Sequence, residues 1–209
     1  MIRKVPGPAL VRLATYLTCL KELAARGVEI ISSAQMEERT GIDAAQFRKD
    51  LSYFGEFGRP GIGYGVSDLR AKIAAILKIE REQRVLLVGA GNLGSAIVGY
   101  PGLKASNFDI VAVFDNNYNK IGRKLWDLEI LDIARVREVN KGVGARVAVL
   151  AVPAPAAQEV AESLVDAGVQ AILNFAPVKL RLPNGVAVRN VDFVQELAVL
   201  CYYLSDEGD

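Results

Sequence analysis

Histidine is absent from the 209 residues. That removes the commonest general base, the Ser-His and Cys-His nucleophile pairs, and imidazole metal sites. Cysteine occurs only as Cys19 and Cys201, at opposite ends of the chain, which fits neither a disulfide framework nor a zinc module. No apolar run reaches the roughly 18 residues that a membrane span needs. The basic opening Met1-Ile2-Arg3-Lys4-Val5-Pro6 meets Arg12 too soon to build a signal-peptide core. The expectation is a cytosolic protein. Excess charge is lacking too: 25 basic and 24 acidic residues leave +1, so bulk charge does not announce a polyanion binder. An apolar fraction of 51% excludes a disordered chain.

What is present divides in two. Residues 1–80 hold 12 Lys and Arg against 9 Asp and Glu, a balance of +3, whereas residues 81–209 hold 13 against 15, or −2. The first part reads as short helices ending in a glycine-dense segment. The second alternates apolar runs with helical patterns, as a parallel α/β sheet is written. The charged run Glu80-Arg81-Glu82-Gln83-Arg84 marks the boundary between a helix and a strand.

In the first part, Pro8 suits a first helical turn. Leu10, Leu13, Leu17, Leu20 and Ala24 then recur at helical spacing until Gly27. A second short helix begins at Ser32 or Ser33, either with Ser33 as cap or with Ser32 and Gln35 as a capping box, and ends at Gly41. Asp43 can cap a third helix, Ala44 to about Phe54, with Phe47, Leu51 and Phe54 on one face and Arg48, Lys49, Ser52 and Tyr53 off it. The short connection at Gly41 is that of a helix-turn-helix. Gly55, Gly58, Gly61, Gly63 and Gly65 follow, with Phe57 and Tyr64 among them. This reads as a hairpin with Arg59-Pro60-Gly61 at its tip. Three helices and a hairpin bearing an Arg describe a winged helix, with the third helix for the major groove and the tip for phosphate or the minor groove. A helical dimerisation or substrate-capping domain is the competing reading.

In the second part, the apolar strand Arg84-Val85-Leu86-Leu87-Val88 runs into Gly89-Ala90-Gly91-Asn92-Leu93-Gly94 and a helix from Ser95 to about Tyr100. This is G-x-G-x-x-G in the setting that gives it meaning. Gly89 allows the tight turn, Gly91 the approach of a pyrophosphate, and Gly94 the packing of helix on strand. A second strand, Ile110 to Phe114, ends in Asp115, 21 residues after Gly94. A carboxylate there accepts the ribose 2′-OH, which favours NAD(H) over NADP(H). A nucleotide-free Rossmann domain and a coenzyme A carrier are the alternatives. Further strands are expected at 147–152 and 171–175, with a helix from Pro155 to Ala167 between them. The segments Ala151 to Ala154 and Asn174 to Val178 leave strand ends on the ligand-binding edge, where turn chemistry alone would also explain their prolines.

Asp192 can cap a last helix, in which ten of the twelve residues 193–204 are apolar. Apolar nearly all round, yet too short to span a bilayer, such a helix must be covered on most sides. A homodimer that exchanges these tails is the economical answer; a tail tucked into its own chain is the alternative. No catalytic acid–base pair stands out, and Lys179, Tyr100 and Asp192 remain formal proton donors without a partner. A dinucleotide site without evident catalytic groups, joined to a DNA-reading module, describes a sensor. Its competitor is an NAD-dependent oxidoreductase whose N-terminal module dimerises.

The run Arg48-Lys49-Asp50-Leu51-Ser52-Tyr53-Phe54-Gly55, followed by Gly58-Arg59-Pro60-Gly61-Ile62-Gly63-Tyr64, closely resembles the Rex family of bacterial redox-sensing repressors. Gly89 to Gly94, Leu173 to Val178 and Asn190-Val191-Asp192-Phe193 match the same family in order, so the resemblance runs from Pro6 to about Leu204. It implies an α/β chain of three parts: a winged-helix domain over 1–80, a Rossmann-type doubly wound parallel sheet over 81–190, and a swapped helix over 191–209. It implies a homodimer on an inverted-repeat operator in double-stranded DNA, bound with NAD⁺ or without nucleotide and released by NADH. By the same resemblance Arg48, Lys49, Ser52 and Tyr53 face the major groove, with Arg59 on the wing. Gly89, Ala90, Gly91, Asn92, Leu93, Gly94 and Asp115 hold the adenosine diphosphate. Tyr100 approaches the nicotinamide, and Asp192 and Phe193 of the partner chain close over it. No catalytic or metal-binding residue is implied. Some members carry an Arg in the first helix where this chain has Thr18, which removes that contact from the expectation.

Overall fold

The structure, a computed structural model, describes residues 5–59 and 61–204. Pro60, expected at the wing tip, lies outside the described residues. The chain forms two compact units, residues 1–81 and 82–209.

The first unit opens with α1 (Gly7–Ala25), whose first turn accommodates Pro8. Leu13, Leu17 and Leu20 lie in the core beside Tyr16 and Leu23, whereas Leu10 is exposed. The short strand β1 (Ile30–Ile31) leads to α2 (Ser33–Thr40). Of the two caps the sequence allowed, the chain uses Ser32: its Oγ accepts from the Gln35 N–H, and Gln35 Oε1 accepts from the Ser32 N–H. Gly41 closes α2 in the left-handed region, at φ 69°. Then α3 (Ala44–Ser52) starts at Asp43, whose Oδ1 accepts from the Ala45 and Gln46 N–H groups. It ends two residues before Phe54, because the chain must turn into the glycine-rich segment. Strand β2 (Tyr64–Gly65) pairs antiparallel with β1, and Arg59 and Gly63 form an isolated antiparallel bridge. Arg59 is therefore at the base of the turn rather than at its tip. Helix α4 (Val66–Ile76) follows and buries Val66, Leu69 and Ile73 in the same core as α1.

The second unit is a seven-stranded sheet. Its elements in chain order are β3 (Gln83–Val88), α5 (Asn92–Val98), α6 (Pro101–Lys104), β4 (Phe108–Asp115), β5 (Lys124–Leu125), β6 (Leu128–Asp132), α7 (Val136–Val143), β7 (Val147–Leu150), α8 (Ala154–Asp166), β8 (Ala171–Asn174), β9 (Ala187–Asn190) and α9 (Phe193–Tyr202). The strand order is β5-β6-β4-β3-β7-β8-β9, and every pairing except β5 with β6 is parallel. This is the doubly wound arrangement, and the direction of winding reverses between β3 and β7. Helix α5 begins at Asn92, inside the fingerprint and earlier than the expected Ser95. Strands β6 and β9 had no sequence assignment; each is short and at most half-buried along much of its length.

Alternation along the central strands divides the core between the two faces of the sheet. Leu86, Val88, Ala112, Phe114, Ala148 and Leu150 pack with Ala157, Ala161 and Leu164 of α8. Val85, Leu87, Val113 and Val149 pack on the other face with Ile97 and Val98 of α5. No residue of α9 is buried in the single chain. Among the described residues, no helix is long and apolar enough to cross a membrane.

Candidate functional site

A cleft of about 430 Å³ opens at the carboxyl ends of β3, β4 and β7, where the winding reverses. Its lining includes Gly89, Gly91, Asn92, Leu93 and Asp115, together with the apolar Ile133, Val152, Ala156 and Val160. The three fingerprint glycines differ in what requires them. Gly89 sits at φ +105°, and a Cβ there would lie 2.2 Å from the Ala151 carbonyl oxygen. A Cβ on Gly94 would lie 1.9 Å from the Gly89 oxygen, so α5 packs on the β3 turn only without one. A Cβ on Gly91 would meet no protein atom within 4 Å. The chain's own packing explains the first and third glycines and leaves the second unexplained.

Asp115 ends β4 with only 6% of its surface exposed. Its Oδ2 accepts from the Ala90 N–H at 2.9 Å and from Lys120 Nζ at 3.0 Å, and its Oδ1 accepts from the Asn117 N–H at 2.9 Å. Burial by itself would raise its pKa. The Asn117 N–H, Lys120 and the Ala90 N–H outweigh that, and the carboxyl is held below its ordinary value. The Ala90 N–H is thus committed to Asp115 and is not a free phosphate donor. Lys120 escaped the sequence reading because it lies on an irregular loop, where no periodicity marks a contact.

The first unit presents its chemistry on the outside of α3. Phe47, Asp50 and Leu51 are buried, while Arg48, Lys49 and Ser52 are exposed and Tyr53 is half-buried. Arg48 Nη1 donates to Ser33 Oγ at 2.8 Å, and Ser52 Oγ donates to the Lys49 carbonyl at 2.7 Å. Beneath them Asp50, with no exposed surface, accepts from Arg12 Nε at 2.6 Å, Arg12 Nη2 at 2.7 Å, Tyr16 Oη at 2.9 Å and Gln46 Nε2 at 2.7 Å. This two-pronged Arg contact fixes α3 against α1. Asp50 could have been found in the sequence, since it shares the helical stripe of Phe47, Leu51 and Phe54. A carboxylate on an apolar stripe requires a buried cation.

Family models match both units: a CoA binding domain over residues 80–178 and a putative DNA-binding protein N-terminus over residues 4–52. The chain is 44% identical over 202 residues to a redox-sensing transcriptional repressor Rex of Desulforamulus reducens, covering 97% of this chain and 96% of that protein. It is 46% identical over 204 residues to the corresponding repressor of Chloroflexus aurantiacus, covering 98% and 96%. The chain belongs to the Rex family. Among solved structures, it matches the Rex-family repressor RSP in complex with β-NAD⁺ and operator DNA with a TM-score of 0.89 and 35% identity, covering 98% of this chain and 95% of that one. RSP in complex with β-NADH matches with a TM-score of 0.88 and 34% identity, covering 98% and 96%.

The Rex motifs outside the cleft have distinct places. Asn174 is buried, its Nδ2 donating to the Ala176 and Val178 carbonyls and to Asn190 Oδ1, while its Oδ1 accepts from the Ala176 N–H. It organises the turn after β8. Tyr100, 62% exposed, lines a separate groove with Trp126 and Leu103. Asp192 caps α9 by accepting from the Val194 and Gln195 N–H groups, and the Phe193 ring centroid lies 6.1 Å from that of Phe175. Within one chain, neither Tyr100 nor Asp192 nor Phe193 lines the cleft. Thr18 lies on the exposed face of α1 and donates to the Ala14 carbonyl at 3.2 Å.

Proposed function

We infer that this chain is a DNA-binding transcriptional repressor that reads the NADH/NAD⁺ balance and acts in the cytoplasm as a homodimer rather than as an enzyme. The observation that carries the reading is Gly91. It lies in a cleft whose volume is in the range of small-molecule and cofactor sites, and no neighbouring protein atom requires its missing side chain. A pyrophosphate approaching the backbone does. The cleft suits the adenosine part of the ligand as well. Ile133, Val152 and Val160 offer an apolar wall for an adenine, and Asp115 stands where the ribose diol is delivered.

The DNA-facing set is Arg48, Lys49 and Ser52 on α3 and Tyr53 at its C-terminal cap, with Arg59 at the base of the wing. All but Tyr53 are exposed, and Arg48 and Lys49 supply the charge that the whole-chain balance hides. The exposed apolar residues of α9, such as Leu197 and Leu200 at 61% and 59%, support an exchanged helix in a dimer. In that assembly Asp192 and Phe193 of one chain would close over Tyr100 and the nicotinamide bound to the other. The three parts of the chain on this reading are 1–80, 81–190 and 191–209.

The two nucleotides differ only at the nicotinamide, in one positive charge and in ring planarity. Discrimination must therefore arise there, because the fingerprint sees the same diphosphate in both. Shifting a dimer from 1:99 to 99:1 between DNA-competent and incompetent states takes about 5.5 kcal/mol of differential binding. Two ligands would each supply about half, at the upper end of ordinary coupling energies of about 1–3 kcal/mol. The test is the affinity of the full chain for an inverted-repeat duplex at fixed salt, with NADH and with NAD⁺. Weaker binding with NADH is expected; equal affinities would overturn the reading, and steady turnover of NADH with a carbonyl substrate would favour an oxidoreductase.

A further inference from the structure

The ribose corner of the cleft holds two opposite charges rather than a lone carboxylate. Among the described residues lining the cleft, Lys120 is the only cation, and its Nζ lies 3.0 Å from Asp115 Oδ2. The Asp115 side chain is 8% exposed and that of Lys120 37%, so the ammonium stands at the open side of the pair. The hydrogen bonding of the two groups is unequal. Asp115 Oδ2 already accepts from the Ala90 N–H and from Lys120, and Oδ1 accepts from the Asn117 N–H. One in-plane lone pair on Oδ1 remains for a ribose hydroxyl. Lys120 spends one N–H on Asp115 and retains two. Its backbone is fixed as well, because its N–H donates to the Asn117 carbonyl at 2.8 Å.

A carboxylate at the end of this strand reads the ribose 2′-OH and repels a 2′-phosphate, whereas a cation beside it accommodates that phosphate. Here both groups stand at one corner, and their formal charges cancel. We propose that Lys120 is a specificity-determining residue of this site, one that admits the 2′-phosphate of NADP(H) and limits how strongly Asp115 excludes it. The proposal rests on the dinucleotide reading of the cleft. It makes the chain's preference for NADH over NADPH a graded property of the Asp115–Lys120 pair.

The test is calorimetric titration of NADH and of NADPH into the full-length protein and into the Lys120→Gln, Lys120→Arg and Asp115→Asn variants. Lys120→Gln is expected to weaken NADPH binding by about tenfold more than it weakens NADH binding. Lys120→Arg is expected to keep NADPH binding near the parent's, because the charge is retained. Asp115→Asn is expected to narrow the gap between the two nucleotides. An equal loss of both in Lys120→Gln would overturn the proposal, since Lys120 would then only hold the loop in place. So would a parent protein that binds NADH and shows no NADPH binding. A parent that binds neither nucleotide would instead overturn the dinucleotide reading itself.

Discussion

Each unit of this protein buries an aspartate and bonds it to a cation, yet the two carboxylates serve different ends. Asp50, in residues 1–81, accepts from Arg12 twice, from Tyr16 and from Gln46, and has no exposed surface. Its hydrogen-bonding capacity is used up in holding α3 to α1. Asp115, in residues 82–209, is bonded to Ala90, Asn117 and Lys120 but lines a cleft and keeps one acceptor direction. Both have a pKa below the ordinary value, burial being outweighed by donated hydrogen bonds. Burial and a displaced pKa therefore do not separate a carboxylate enclosed in the core from one that lines a cleft. Open space beside the group does. The same contrast governs the surfaces: the first unit displays its side chains outward on a rigid helix, and the second shapes an inward cleft largely from backbone.

Two glycines of one motif put this contrast under the greatest load. Gly89→Ala places a Cβ 2.2 Å from a carbonyl oxygen at φ +105°. It is expected to destabilise the second unit by more than about 3 kcal/mol, read as an early unfolding transition. Gly91→Ala is expected to leave that transition in place, because its Cβ meets no protein atom, and to lose NADH binding. Destabilisation by Gly91→Ala as large as that by Gly89→Ala would break the distinction between the two glycines.

Removing one partner of the buried pair comes next. Arg12→Ala leaves Asp50 buried with its two other side-chain donors, at an expected cost of about 3 kcal/mol in the first unit. DNA affinity should fall with it, although Arg12 lies beneath the helix on which the proposed DNA-facing set stands. The pair also has a pH signature. The Asp50 pKa is lower folded than unfolded, so its contribution is present above the unfolded value of about 3.9 and is lost as pH falls through the folded one. Denaturant titrations from about pH 5 down to about pH 2 should show a shallower acid loss in Asp50→Asn than in the parent. An unchanged slope would mean that the pair contributes nothing.

The smallest effect on folding is expected at Arg48. It is exposed, and among the described residues its side chain bonds only the Ser33 hydroxyl, so Arg48→Ala should leave stability within about 0.5 kcal/mol. DNA affinity should fall by about tenfold or more if Arg48 reads a base edge. If it contacts phosphate instead, the loss should be uniform across sequences, and the salt dependence should become shallower by about one counterion. Unchanged DNA affinity would break the assignment of α3 as the reading helix.

The elements that could be read from the sequence are those whose pattern is local. Capping at Asp43, a helix start at Ser32 or Ser33, the fingerprint after a buried strand, and Asp115 at the end of the next one all follow from residues a few positions apart. Where a signal was short or irregular, it failed. Strands β6 and β9 are edge-ward and partly exposed, so no strong alternation marks them, and among the described residues the turn between Arg59 and Gly63 is closed by an isolated bridge. Lys120 was invisible because its importance comes from a loop that folds back onto Asp115. Leu10 shares the helical spacing of Leu13, Leu17 and Leu20, but α1 is covered along only part of its circumference, and Leu10 falls outside that part.

The sequence by itself determined the two-part organisation, the parallel α/β architecture, the fingerprint and the apolar tail, because helical and strand periodicities and the glycine spacing are properties of neighbouring residues. Tertiary structure alone decided what each of those residues is for. It showed that Gly89 and Gly94 are demanded by packing whereas Gly91 is not, that Asp50 is spent on Arg12, and that Asp115 shares its corner with a lysine. Such distinctions depend on which groups meet across long stretches of chain and on where space remains open. No periodicity in the sequence carries that information.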